Sequence, residues 1–136
     1  MYANIAIVFF DEVGKMNKRR VGKFFEDLAC EYITDNGGRI LQRNYRALRG
    51  EIDIIALDEK YLCFIEVKYR KGDEYGTPQE AVTFYKQRQI CRISKTYLYS
   101  RYKSLDIPIR YDVISVSDND ETVSLKWLKN AFDYIP

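Results

Sequence analysis

The chain has 136 residues, of which 46% are hydrophobic and 31% charged, and its formal net charge is +2. This length predicts one domain that buries about two thirds of its unfolded surface, without a separate substrate domain. The absence of histidine excludes Ser-His-Asp and Cys-His nucleophiles and any histidine metal site. Cys30, Cys63 and Cys91 form no Cys-x-x-Cys pair, which argues against a zinc cluster and favours free thiols in a reducing compartment. Chemistry must therefore rest on carboxylates, lysine, tyrosine and a hard cation such as Mg²⁺ or Mn²⁺.

We interpret residues 1–16 as an N-terminal extension and residues 17–136 as a single domain. The apolar run from Ile5 to Phe10 is far shorter than the roughly 20 residues that a membrane span requires. No basic leader precedes it, so a signal peptide is not expected either. The run either adds a strand or is dispensable, in which case Met16 starts the domain. We expect a cytoplasmic protein without membrane association.

The first helix is predicted over Lys18 to Asp35, because apolar residues recur there at helical spacing and Asn36-Gly37-Gly38 supplies a stop. Glu26 lies at the margin of the apolar stripe, one turn after Gly22, whose missing side chain leaves room beside it. Two readings fit this position. Glu26 is either a carboxylate near the core and open to a ligand, or an exposed glutamate paired with a lysine.

Three antiparallel strands are predicted next: Arg39 to Arg46, then, after a turn at Arg49-Gly50, an acidic hairpin of Glu51 to Ala56 and Leu62 to Lys68. A loop centred on Glu59-Lys60 makes the numbers of opposed residues add to 119, so Asp53 faces Glu66. Two carboxylates at about 5 Å repel by roughly 3 kcal/mol at an effective dielectric near 20. A cation should offset this repulsion, either Lys68 on the same face or a divalent metal ion.

An ordinary solvated sheet face is the alternative interpretation of the same hairpin. In this register Glu51 faces Lys68, and such an exposed ion pair contributes well under about 1 kcal/mol. The Glu59-Lys60 turn lacks the Asn-Gly chemistry that favours a two-residue hairpin. A slip of one residue would move every side chain to the opposite face.

A second helix is predicted to open at Thr77-Pro78-Gln79-Glu80, which has the composition of a capping box with proline at the first helical position. An unbroken helix from there to Tyr102 would be about 39 Å long, so we expect a break around Thr83-Phe84-Tyr85. Two strands follow, Ile109 to Val116 and Thr122 to Leu128. The predicted order is α-β-β-β-α-β-β.

Charge is arranged in blocks along the chain. Residues 15–50 contain nine Lys/Arg against four Asp/Glu, and residues 68–103 contain nine against three, whereas residues 51–67 contain five acids and one base. A basic envelope around an acidic centre suits a protein that holds a polyanion beside a metal ion, although solvated helix faces explain many of these charges. Tyrosines interleaved with arginines between residues 85 and 102 suit stacking on bases, but core or dimer-interface roles are favoured.

Three strings of residues carry a resemblance to a known family: Arg43 to Arg46, Gly50 to Ala56 and Phe64 to Arg70. Over roughly residues 17 to 132 the chain resembles the YraN family of bacterial proteins. That family looks like a member of the restriction-endonuclease-like, or PD-(D/E)XK, nucleases and is similar to archaeal Holliday-junction resolvases. The resemblance implies an α/β fold with a restriction-endonuclease-like core, in which helices flank a mixed sheet of about five strands.

The resemblance also implies roles for individual residues. Asp53 and Glu66 match the metal-binding acids of the nuclease motif, Lys68 matches its lysine, and Glu26 matches the glutamate of the first helix. With the Val67 carbonyl, these acids would bind Mg²⁺ or Mn²⁺. Two departures from the pattern are Ile52, where the general motif has proline, and Phe25, where many relatives have glycine and where a ring can crowd Glu26.

The function implied is metal-dependent hydrolysis of DNA phosphodiester bonds, selective for branched or junction structures in repair or recombination. The alternative is a non-catalytic nucleic-acid-binding module with the same fold. DNA is favoured over RNA, and a homodimer is expected by analogy with resolvases, which cut two strands symmetrically. The cations expected to contact nucleic acid are Arg19, Arg20, Arg43, Arg46, Arg49, Arg70 and Lys86.

Overall fold

A mixed β-sheet with a helix on each face forms the described part of the protein. The computed structural model describes residues 17–71, 82–119 and 122–136, and for residues 2–6 the backbone alone. The elements are β1 (Tyr2–Ala6), α1 (Lys18–Asp35), β2 (Arg39–Ala47), β3 (Gly50–Asp58), β4 (Tyr61–Lys71), α2 (Phe84–Tyr102), β5 (Ile109–Asp118) and β6 (Thr122–Phe132). From residue 17 onward, the predicted order α-β-β-β-α-β-β is confirmed.

The six strands lie in the order β1-β6-β5-β4-β3-β2. β4 and β5 are parallel, and the other neighbours are antiparallel. The parallel pair is connected through α2, as a parallel crossover requires. β1 is a sixth strand in addition to the five expected, and it pairs with β6 from Tyr2 opposite Lys126 to Ala6 opposite Thr122.

Helix α1 has the predicted bounds, Lys18 to Asp35. Asn17 caps it by accepting a hydrogen bond from the Arg20 amide at 3.0 Å, which satisfies one of the free N–H groups of the first turn. Asn36 is the C-cap of the helix, and Gly37 follows with a φ of 94°, a conformation that favours glycine.

The β3–β4 hairpin has the predicted register. Its pairs run from Ile54 opposite Ile65 to Asp58 opposite Tyr61, around Glu59 and Lys60. The β2–β3 turn differs from the prediction by one residue. Leu48 and Arg49 occupy its centre with φ of 52° and 62°, as in a type I′ turn, because Gly50 already pairs with Ala47.

Two apolar cores lie on opposite faces of the sheet. The core under α1 contains Phe25, Ala29 and Ile33 of the helix with Cys63 and Ile65 of β4. The core under α2 includes the helix residues Ile90, Ile93 and Tyr97 together with Leu62 and Phe64 of the same strand. Alternate β4 residues thus point to opposite helices, as period-two pleating requires.

Helix α2 begins at Phe84, where Thr83 accepts a hydrogen bond from the Lys86 amide at 3.1 Å. A helix boundary therefore lies at the break expected around Thr83-Phe84-Tyr85. The predicted start at Thr77 to Glu80 lies outside the described residues. Neither α1 nor α2, the helices of the part of the chain that the structure describes, has the length and apolar character needed to traverse a lipid bilayer.

Candidate active site

The alternation of β3 breaks at Asp53. Ile52 packs in the core under α2, whereas Ile54 packs in the core under α1, although residues two apart in a regular strand share a face. In β2, Asn44 has a left-handed φ of 52° and lies between the pairs Arg43–Ile54 and Tyr45–Ile52. Both strands therefore twist at the same point, which is where the acidic residues meet.

Asp53 is anchored to β4 by its side chain. Its Oδ2 accepts a hydrogen bond from the Val67 amide at 2.8 Å, just beyond the last β3–β4 backbone pair, Ile54–Ile65. The bond holds the carboxylate against the backbone between Glu66 and Lys68. The register predicted from the sequence therefore brings Asp53 beside Glu66, and this side-chain bond takes over where the backbone pairing ends.

Glu66 is a buried acid whose charge the protein leaves largely uncompensated. Its side chain is 9% exposed, and its Oε2 has no hydrogen-bond partner among the described residues. Lys86 Nζ lies 4.0 Å from that oxygen, too far for a hydrogen bond. Burial and the neighbouring Asp53 raise the pKa of Glu66 to about 8, against the opposing effect of Lys86 and Lys68. Without a bound cation, burial and the charge of Asp53 therefore favour the protonated form of Glu66.

The pKa values of the neighbouring acids Asp53 and Glu26 are also raised. Burial raises the pKa of Asp53, and Glu51 raises it further, while the Val67 hydrogen bond lowers it. Burial and Asp53 likewise raise the pKa of Glu26, against Arg43. Carboxylates from α1, β3 and β4 thus interact through Asp53.

Glu51 belongs to this group, although the sequence interpretation treated it only as a partner for Lys68. Its charge raises the pKa of Glu26, Asp53 and Glu66. The ion pair that Glu51 makes in the structure is with Arg46 at 3.3 Å, across the β2–β3 hairpin. Its position two residues before Asp53 was the signal available in the sequence.

Lys68 and Lys86 are the two ammonium groups whose charges act on Asp53 and Glu66. Lys68 comes two residues after Glu66 in β4, and its charge lowers the pKa of both Asp53 and Glu66. Lys86, from the first turn of α2, acts on the same two acids. Lys86 was predicted as a nucleic-acid contact, and the structure places it at the acids themselves.

Glu26 lines a groove beside α1, and the cation that pairs with it is Arg43. Arg43 Nη2 lies 3.9 Å from Glu26 Oε1 and 2.7 Å from Asp27 Oδ1. The Phe25 ring, which the sequence suggested could crowd Glu26, is buried in the core and stacks on Tyr69 at 4.4 Å. A Cβ at Gly22 would meet nothing within 4 Å, so the space beside Glu26 is open.

The oxygen atoms of these acids are suitable ligands for a hard divalent cation. Buried carboxylate oxygens with raised pKa values, one of them without a donor, are the groups that such a cation would stabilise. Within the described ranges, no three His, Cys, Asp or Glu side chains converge closely enough as they stand to hold a metal ion. A third protein ligand would therefore come from a carbonyl or from a shift of Glu26.

Cationic side chains line two adjoining grooves, which share Arg46 and Glu51. The first lies between α1 and the β2–β3 hairpin, and its lining includes Glu26, Glu51 and six cations: Lys18, Arg19, Arg20, Lys23, Arg43 and Arg46. The second continues around the hairpin tip, with Arg46, Arg49, Lys86 and Gln89 in its lining. Arg70 lies further along β4, paired in register with Ser117.

By its fold and its site, the protein is a mixed α/β domain in which clustered, partly buried carboxylates adjoin basic grooves. Residues 25–116 match the uncharacterised protein family UPF0102. The chain is 46% identical over 115 residues to UPF0102 protein STH1475 of Symbiobacterium thermophilum, covering 84% of this chain and 97% of that protein. It is 42% identical over 118 residues to a UPF0102 protein of Lachnoclostridium phytofermentans, covering 87% and 97%. The chain belongs to the UPF0102 family, which confirms the YraN resemblance.

Proposed function

We propose that this protein is a metal-dependent endonuclease that hydrolyses DNA phosphodiester bonds. The observation that carries the proposal is the buried Glu66 carboxylate, which has an unpartnered oxygen beside Asp53. A fold retains such a destabilising group where it serves chemistry, since buried polar atoms are otherwise nearly always paired. The resemblance of the motif to restriction-endonuclease-like nucleases supports the same reaction class.

Asp53, Glu66 and the Val67 carbonyl, joined by Glu26, are the groups that would hold Mg²⁺ or Mn²⁺. When bound, that cation supplies charge stabilisation at the scissile phosphate and an activated water. Asp53 is oriented for this role by the Val67 amide. Lys68 would donate hydrogen bonds to the attacking water and to the charge that develops on the phosphate.

The two basic grooves would bind the DNA backbone on either side of the acids. Arg19, Arg20 and Arg46 line the first groove, and Arg49 and Lys86 line the second. Contacts of this kind recognise phosphates and shape rather than base sequence. We therefore propose selection for branched or junction DNA, and a homodimer that cuts two strands symmetrically.

Cleavage assays with single-residue variants test the proposal. Wild-type protein should cut branched DNA in Mg²⁺ or Mn²⁺, and Asp53→Asn and Lys68→Ala should each lower the rate at least about 100-fold while DNA binding persists. Glu59→Gln is the matched control, because Glu59 is an exposed acid at the turn of the same hairpin. Cleavage that survives Asp53→Asn would refute the assignment of the site.

A second candidate is a nucleic-acid-binding module that lacks catalysis. It is favoured by the arrangement of the acids, since no three of those described converge as a ready metal site. Salt-dependent DNA binding with no cleavage in any divalent metal would support this function. The loss of cleavage in Asp53→Asn at unchanged affinity would exclude it.

A further inference from the structure

A surface rich in arginine and aromatic residues adjoins the candidate active site at the start of α2. Tyr85 is 77% exposed and Phe84 66%, the two most exposed large hydrophobic side chains in the described part of the chain. Tyr85 lies in a shallow groove that we call the Tyr85 groove, lined by Leu48, Arg49, Tyr85, Arg88, Gln89 and Arg92. An aromatic ring this exposed is available for stacking against a ligand.

The groove is built from one helix face and one hairpin tip. Tyr85, Arg88 and Arg92 are three and four residues apart, so they lie along the same side of α2. Arg49 approaches from the β2–β3 turn. The hairpin comes close because Gly50 has no side chain: a Cβ there would lie 2.6 Å from Gln89 Nε2 and 3.0 Å from Ile93 Cδ1.

The charge of the groove is of one sign. Its described lining has three guanidinium groups and no carboxylate. A two-fold contact between copies of this chain would bring these arginines against each other, which disfavours a self-interface at this surface. A polyanion is the complementary ligand, and Tyr85 supplies a ring on which a flat apolar group can stack.

The groove is continuous with the candidate active site. Leu48, Arg49 and Gln89 line both the Tyr85 groove and the neighbouring groove that contains Lys86. Lys86 Nζ in turn lies 4.0 Å from Glu66 Oε2. One strand of nucleic acid can therefore run from Glu66 past Lys86 onto Tyr85, and among the described residues Glu51 is the one carboxylate in the lining of these two grooves.

We propose that the Tyr85 groove binds unpaired bases of the DNA strand next to the scissile phosphate. One base stacks on Tyr85, while Arg49, Arg88 and Arg92 hold the flanking phosphates. This inference rests on the proposed function and narrows its substrate to DNA with a single-stranded arm, such as a flap or an open junction. A fully paired duplex cannot offer a free base face to the ring.

Binding measured by fluorescence anisotropy without divalent metal tests the proposal independently of hydrolysis. Tyr85→Leu should weaken binding of single-stranded and flapped DNA about fivefold or more, and leave blunt duplex binding unchanged. Tyr85→Phe should restore wild-type affinity because it keeps the ring. Tyr99→Leu is the matched control, since Tyr99 is 57% exposed on the same helix but absent from the groove lining.

A 2-aminopurine base in the single-stranded arm gives a direct readout of stacking. Its fluorescence should be quenched by wild-type protein and by Tyr85→Phe, but not by Tyr85→Leu. Equal weakening of duplex and flapped DNA by Tyr85→Leu, or an equal effect of Tyr99→Leu, would overturn the inference. A shift from dimer to monomer in Tyr85→Leu with DNA affinity retained would also overturn it, in favour of a subunit interface.

The failure of this inference can be told apart from failure of the proposed function. If Asp53→Asn abolishes cleavage while Tyr85→Leu binds flapped DNA normally, the nuclease stands and the groove assignment falls. If no cleavage occurs in any metal but Tyr85→Leu loses arm binding and quenching, the groove stands and the catalytic proposal falls.

Discussion

Two groups of buried and partly buried acids lie at opposite ends of the β3–β4 hairpin. They differ in how far neighbouring cations and hydrogen-bond donors neutralise their charge. The closed cluster, near the turn, consists of Asp58, Asp112, Arg110, Lys129 and Trp127. Asp112 accepts hydrogen bonds from Arg110 Nε and Nη2, Trp127 Nε1 and the Asn130 amide, all at 2.8 to 2.9 Å. Asp58 Oδ2 lies 2.8 Å from Arg110 Nη2 and 2.9 Å from Lys129 Nζ.

The open cluster consists of Glu26, Glu51, Asp53 and Glu66. Burial acts to raise the pKa of Asp58 in the closed cluster, but Lys129 and Arg110 hold it below its usual value. In the open cluster, burial and Asp53 raise the pKa of Glu66 to about 8. The contrast shows that the fold can neutralise buried acids where it needs them for stability. Glu66, whose Oε2 has no hydrogen-bond partner among the described residues, is therefore the better candidate for ligand binding.

Removal of one acid from each cluster should separate a structural role from a functional one. The largest loss of stability is expected in the closed cluster. Asp112→Ala should destabilise the protein by about 3 to 5 kcal/mol, because the largely buried Arg110 loses two of its three carboxylate bonds and keeps only Asp58, while the Trp127 N–H loses its acceptor. Asp53→Asn should cost less than about 1 kcal/mol, because it relieves repulsion while its amide oxygen can still accept from Val67. Urea denaturation of both variants measures the difference.

Asp112→Asn serves as a graded control for this comparison. The amide keeps one acceptor oxygen but cannot receive both Arg110 bonds and the Trp127 bond, so its stability should fall between those of wild type and Asp112→Ala. Greater destabilisation by Asp53→Asn than by Asp112→Ala would reverse the structural and functional assignments of the two clusters.

The raised pKa of Glu66 should make stability depend on pH in a definite direction. Between its ordinary value of 4.5 and about 8, the folded protein binds a proton that the unfolded chain has lost, so stability falls as pH rises. The raised pKa values of Asp53 and Glu26 act in the same direction. From pH 5 to pH 8.5, wild type should lose on the order of 2 to 4 kcal/mol.

Glu66→Gln provides the comparison, since its amide does not titrate. The variant should show a much weaker pH dependence and should exceed wild type in stability at pH 8.5. Saturating Mg²⁺ or Mn²⁺ should raise the thermal midpoint of wild type at that pH but not that of the variant. A wild-type stability that rises between pH 5 and pH 8.5 would contradict an uncompensated acid at this position.

Much of this arrangement follows from local patterns in the sequence. The loop centred on Glu59-Lys60 predicted the β3–β4 register, confirmed by the pair Ile54–Ile65, and helical spacing with Asn36-Gly37-Gly38 predicted the bounds of α1. These features depend on neighbours in the chain and on burial of one face. The register predicts Asp53 beside Glu66, and in the structure the bond from the Val67 amide to Asp53 continues the pairing beyond Ile54–Ile65.

Other features depend on contacts between distant segments, which periodicity does not encode. The face switch at Asp53 needs Asn44 of β2 in the left-handed conformation, and neither strand shows it alone. The approach of Lys86 to Glu66 depends on how α2 packs on the sheet. The closed cluster was missed because Arg110 and Asp112 look like solvated charges in an alternating strand, although Asp112 is fully buried.

The smallest stability effect is expected for Arg46→Ala, which removes an ion pair at the rim of the open cluster. The Arg46 and Glu51 side chains are 79% and 38% exposed, so their 3.3 Å contact should contribute less than about 1 kcal/mol. If the groove beside α1 binds DNA, the slope of log affinity against log salt should nevertheless decrease by about 1, the loss of one phosphate contact. Arg39→Ala is the control at the opposite end of β2, where Arg39 is also exposed. An equal change of slope in Arg39→Ala would mean that Arg46 acts only through the net charge of the protein. The groove beside the open cluster would then not support a DNA-binding role for that cluster, and the contrast with the structural closed cluster would be weaker.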